Sequence, residues 1–128
     1  MLMDTNGHII LSEDYVSYEV AKLLKEKGFD EKTLSYYEDN VLCRGDWFEW
    51  NRSPLGHIAA PTHQMAMKWL RKVHNQHVQI KYFHGAYQEF EYVIINTFNG
   101  KAYHKPDGFS SYEEACEEGI KYCLENLI

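Results

Sequence analysis

Histidine is the residue type in this chain best suited to chemistry, and there are 7. His74 and His77 stand at the end of a helical pattern and His57 and His63 flank its start, so one reading is a metal-assisted hydrolase using His57, His63, His74 or His77. Two imidazoles share a metal from one helix only when three or four residues separate them within it. Asn75 breaks the helix between His74 and His77, so no ligand set closes. The expectation is that these side chains are solvated or hydrogen-bonded, with no metal and no cofactor. Nucleophilic catalysis needs a nucleophile, a base and an orienting group that converge, and no signature places Cys43, a serine or a threonine beside a histidine. No catalytic residue is assigned. The glycines form no phosphate-cradling pattern.

The most suggestive cluster is Trp47, Phe48, Trp50, Arg52 and His57, because Trp and Arg are enriched where binding energy concentrates. These residues form a candidate binding patch for a protein partner or a second copy of the chain. The competing reading is that the aromatics close one end of the core. Cys43, Cys116 and Cys123 cannot all pair and make no Cys-x-x-Cys unit, so reduced thiols are expected. Cys116 and Cys123 share one helical face and suit plain packing.

The elements that would position these residues follow from periodicity and turn chemistry. A first helix should run from the cap at Ser17 to Lys27 with Val20, Leu23 and Leu24 inward, stopped by Gly28 with Phe29 folding back on Leu24. Leu34–Glu38 and Val41–Cys43 read as short strands around Asp39 and Asn40, and Trp47–Trp50 as a third; Gly45 to Pro61 reads as a long connection. A second helix should start after Thr62, its stripe being Met65, Ala66, Trp69, Leu70 and Val73, and end near Asn75. An antiparallel meander follows: His77–Phe83, Glu89–Phe98 and Lys101–His104, with Asn99-Gly100 as a two-residue turn. Lys81, Tyr103 and His104 are expected on the face away from the helices. The last helix should be capped by Ser110 or Ser111, with Glu113 or Glu114 closing the box, and should bury Tyr112, Ala115, Cys116, Gly119, Ile120, Cys123, Leu124 and Leu127.

The run Ala21-Lys22-Leu23-Leu24-Lys25-Glu26-Lys27-Gly28-Phe29-Asp30, the block Ala60-Pro61-Thr62 leading to Trp69-Leu70-Arg71, and the closing Ser111-Tyr112-Glu113-Glu114-Ala115 resemble a group of small hypothetical proteins encoded in gut-bacterial genomes, phages and mobile elements. That resemblance implies an accessory gene product and carries over no catalytic residue.

The whole chain of 128 residues, 45% hydrophobic and 25% charged, fits one α+β domain. The expected architecture is an antiparallel sheet of three to five strands with about three helices mainly on one face. A net charge of -6 works against polyanionic partners. The α-β-β-β-α order from Thr62 onward matches that of double-stranded RNA-binding domains. Glu113, Glu114, Glu117 and Glu118 would nevertheless repel phosphates from the last helix, so nucleic-acid binding is disfavoured. No apolar run is long enough to span a membrane, and Met1 to Leu11 lacks the pattern of a signal peptide, which together lead to the expectation of a cytoplasmic protein. The reading is a non-enzymatic accessory or interaction protein.

Overall fold

Turn chemistry decides which strands pair, and a two-residue turn forms at Asp39-Asn40. A computed structural model describes residues 2–3, 9–10, 14–85, 88–104 and 108–128. It shows an α+β fold with antiparallel sheets and, among the described residues, three α-helices. No helix among those residues is long and apolar enough to cross a membrane. The chain divides into two compact units, Met1–Thr62 and His63–Ile128.

In the first unit β1 (Leu2–Met3) pairs antiparallel with β2 (Ile9–Ile10). Helix α1 (Tyr18–Glu26) begins as its sequence requires: the Ser17 hydroxyl accepts from the Val20 amide at 3.2 Å, and Val20, Ala21 and Leu24 are buried. It stops at Gly28, whose φ of +92° lies in the left-handed region that a side chain disfavours. The Phe29 amide then donates to the Leu24 carbonyl at 2.9 Å and the Phe29 ring is buried, the hydrophobic closure of a helix stop.

Strands β3 (Thr33–Glu38) and β4 (Val41–Phe48) form a hairpin, and β5 (Ile58–Ala59) adds to the other side of β3. Asp39 and Asn40 both have positive φ, 49° and 67°, and lie between the paired residues Glu38 and Val41. This is the two-residue turn whose twist matches the strands. Thr33, Ser35 and Tyr37 face inward from β3, and the Tyr37 hydroxyl donates to the Val16 carbonyl at 2.7 Å. The expected third strand at Trp47–Trp50 does not exist separately: β4 continues to Phe48, and Trp50–Arg52 winds into a single 3-10 turn.

The second unit opens with α2 (His63–His74), which buries His63, Ala66, Met67, Trp69 and Leu70. Val73 shares the arc of that stripe but is 54% exposed, because it lies in the last turn, past the surface that covers the rest. Asn75, with φ of +57°, turns the chain into the meander β6 (Gln76–His84), β7 (Gln88–Asn96) and β8 (Ala102–His104). The β7–β8 connection is longer than two residues. Only Gly100 has positive φ there, and the Asn96 side chain accepts from the Phe98 and Asn99 amides, so Asn96 rather than Asn99 organises the turn.

Helix α3 (Tyr112–Tyr122) starts at Ser111, whose hydroxyl accepts from the Glu114 amide at 3.1 Å. The Glu114 carboxylate accepts from the Ser110 hydroxyl, so both serines contribute to this end. Ala115, Cys116, Gly119 and Ile120 are buried, whereas Tyr112 is 38% exposed at the first turn. Gly119 lets the helix backbone approach the sheet: a Cβ there would meet Val78 Cγ1 at 2.9 Å and Tyr92 Cβ at 3.2 Å. Beyond α3 the chain widens into one π-helical turn, Cys123–Leu127. Register places Tyr103 opposite Ile94, on the helix-covered side, where it stacks on Tyr122 at 4.1 Å. It therefore does not share a face with Lys81 and His104, because side chains alternate along a strand.

Candidate functional site

The patch expected from sequence lies wholly in the first unit, and a bulge in β4 decides its form. Thr33 pairs with Phe48 and Ser35 with Arg44, so Gly45 to Trp47 loop out of the ladder opposite Leu34. The backbone groups freed by that bulge find a side-chain partner, since the Trp50 indole N–H is shared between the carbonyls of Thr33 (3.0 Å) and Asp46 (3.1 Å). Gly45 makes room for the ring. An added Cβ would lie 2.6 Å from Trp50 Cζ2 and 2.9 Å from Tyr36 Cε1. The Trp50 ring stacks on Tyr36 with centroids 4.2 Å apart, and His57 and Phe48 meet it edge-on at 5.3 and 5.1 Å.

Hydrogen bonds fix the surrounding turn. Asn51 donates to the Phe29 carbonyl and accepts from the Ala59 amide, each at 2.7 Å, so one carboxamide ties the helix stop to β5. The Ser53 hydroxyl and His57 Nδ1 are 2.9 Å apart, and Lys25 Nζ donates to the His57 carbonyl at 3.1 Å. Arg52 contacts Asp30 at 2.6 Å and Glu49 at 3.1 Å. The hydrogen bond to Asp30 and the nearby Glu49 charge hold the guanidinium above its ordinary pKa. Burial, with the charges of Cys43 and Glu38, raises Tyr36 likewise.

Trp50 and His57 thus belong to a packed cluster and Arg52 to a surface ion-pair triad. Trp47 and Phe48 differ: they are 55% and 45% exposed. Val41 and Leu55, which sequence reasoning did not single out, are exposed as well, Leu55 at 81%. Comparison of the chain with protein-family models, curated proteins and solved structures finds no match.

The histidines of the hydrolase reading have separate surroundings. His57 belongs to the cluster above. His63 is buried, its Nε2 lying 3.0 Å from a Glu117 carboxylate oxygen. His74 packs edge-on against Trp69 at 4.7 Å, and His77 lies in β6 opposite Ile95. Among the described residues no three His, Cys, Asp or Glu side chains form a metal-binding group. A further pair, missed in the sequence, joins half-exposed His104 to the mostly buried Glu91 carboxylate at 2.6 Å. Cys116 and Cys123 are fully buried, and burial pushes their thiols up to about 11 and about 12. These thiols are unreactive at neutral pH, because the thiolate is the nucleophile.

Proposed function

We propose that the protein is a non-enzymatic interaction module, an accessory product of phage or mobile-element type that works in the cytoplasm and engages a polypeptide through the β4 side of its first unit. The observation that carries this reading is the exposure of Trp47 and Phe48 beside Trp50, which is held in place. Folding uses Trp50 to close the bulge, leaves Trp47 exposed and leaves Phe48 45% exposed with its ring edge-on to Trp50. Adjacent exposed aromatics on a fixed base are the form that binding anchors take. Among the described residues strand β4 is also an edge: β3 is its one neighbour in the three-stranded sheet. A partner in extended conformation can pair with such an edge while its side chains meet Trp47 and Phe48.

The test compares the wild type with Trp47→Ser and Phe48→Ser by sedimentation and by quantitative capture from lysate of cells that carry the gene. The expected result is self-association or capture of one partner, reduced at least tenfold in either variant while the circular dichroism spectrum is retained. A wild type that is monomeric and partnerless, and indistinguishable from both variants, overturns the proposal.

A further inference from the structure

The second unit holds a cavity of about 300 Å³ where the open end of its sheet meets the final π-helical turn. That volume is at the lower end of the roughly 300–1,000 Å³ typical of small-molecule sites. Its walls come from three places. The sheet gives Gln76, Ile94 and Tyr103; the β7–β8 turn gives Asn96, Asn99 and Lys101; the π turn gives Asn126 and Leu127.

The polar inventory of the cavity is uneven. Asn96 Oδ1 already accepts from the amides of Phe98 and Asn99, and Asn99 Oδ1 accepts from the Lys101 amide at 2.9 Å. Folding therefore spends the acceptors of both asparagines and leaves their N–H groups available. Gln76 is only 7% exposed and its carboxamide has no hydrogen-bond partner among the described residues. Among the described residues Lys101 is the one charged side chain in the lining, in a chain whose net charge is -6. It makes no ion pair among the described residues. The Gln76 carboxamide lines this cavity, where a ligand can meet it.

We infer that this cavity binds a small organic monocarboxylate, the carboxylate facing Lys101 and the asparagine N–H groups, and an amide or hydroxyl of its body meeting Gln76. Ile94 and Leu127 cover the short apolar part. The planar carboxamides and the single cation fit a carboxylate better than a phosphate, which draws several cations or a ring of backbone amides.

The probes are N-acetylglycine, its neutral analogue N-acetylglycinamide, and inorganic phosphate, each titrated into the 15N-labelled full chain. The expected result is saturable shifts at the amides of Lys101, Ala102 and Tyr103 and at the Gln76 side chain with N-acetylglycine. Binding should be at least about tenfold weaker for the neutral amide, the size expected when a charge-assisted hydrogen bond is lost. Lys101→Met should remove most of that preference. Gln76→Leu should weaken N-acetylglycine binding, because it removes the carboxamide that meets the body of the ligand. The inference is overturned by the absence of a saturable shift at millimolar N-acetylglycine, by shifts that map away from the cavity, or by phosphate binding as tightly as the acid. Unchanged affinity for the acid in Lys101→Met also overturns it, and that exposed substitution leaves the core untouched should Gln76→Leu fail to fold.

Discussion

Replacing Gly119 by alanine tests the packing of α3 on its sheet, because the two effects in play have opposite signs. Helix propensity favours alanine over an interior glycine by about 0.8–1 kcal/mol. Against this, the new Cβ would lie 2.9 Å from Val78 Cγ1 and 3.2 Å from Tyr92 Cβ and Cγ. Neither neighbour yields easily: Val78 is β-branched and stiff in its strand, and Tyr92 Cβ moves only with the backbone of β7. Overpacking of this kind costs about 1–3 kcal/mol, so Gly119→Ala should lose roughly 1 kcal/mol net. The buried thiols of Cys116 and Cys123 report on this unit directly, since they react only when it opens. Their labelling by a thiol reagent at fixed pH should accelerate about fivefold for each kcal/mol lost. Val78→Ala removes the methyl that is struck, so in the double variant the Gly119→Ala penalty should shrink by about 1 kcal/mol. Slower labelling in Gly119→Ala, or strict additivity with Val78→Ala, would refute the close approach.

Three other outcomes follow from the same contacts. Trp50→Ala should cost the first unit about 2–4 kcal/mol in chemical denaturation, below the full range for a buried tryptophan because Trp50 is half-buried, whereas Trp47→Ala should be near neutral; equal losses would contradict the division of roles. Glu117→Ala should cost about 1–3 kcal/mol by leaving buried His63 without this partner, and Glu125→Ala, at an exposed position, should change stability little; a neutral Glu117→Ala would remove the pair from the account. Stability should also fall in alkali: the Cys116 and Cys123 thiols stay protonated to about 11 and about 12 in the folded chain but ionise near 9 when unfolded. Their contribution is intact below pH 9 and lost as pH rises through the folded values, at about 1.4 kcal/mol per pH unit per group. A urea midpoint that does not move between pH 9 and 11 would contradict that burial.

Local rules made the helices and the meander legible. Ser17 and Gly28 bound α1, Ser111 starts α3, and the three strands after Asn75 fall within a few residues of their expected ends, because caps and alternation act over short range. The first unit was harder to read. Gly45, Gly56 and Pro54 suggested a long loop, yet Gly45 serves close packing inside a bulged strand. The two-residue turn expected at Asn99-Gly100 does not form, because the Asn96 side chain captures two amides and stabilises a longer loop, whereas Asp39-Asn40, between its two expected strands, closes as a two-residue turn. Trp47 and Trp50 are indistinguishable by type. Only the bulge, whose freed carbonyls select the indole of Trp50, separates a structural residue from an exposed one. The cavity was out of reach for a similar reason: Gln76, Lys101 and Asn126 meet only in the folded unit.

The bulge also bears on how β4 could be used. A long flat edge strand invites indiscriminate pairing, and proteins guard against it with bulges and charge. Here the ladder is regular from Val41 to Arg44 and breaks at Gly45, with Asp46 beyond, so the edge offers only a short straight stretch for a partner strand. Main-chain hydrogen bonds over so few residues give weak binding, because an isolated two-stranded pairing is marginal in water. Affinity and selectivity would then have to come from side chains past the break. Trp47 and Phe48 stand there, on a base clamped by Trp50 and Asn51. The device that protects the edge from random pairing therefore makes aromatic recognition a requirement for specific pairing, and so removing one aromatic should abolish association that backbone pairing alone cannot sustain.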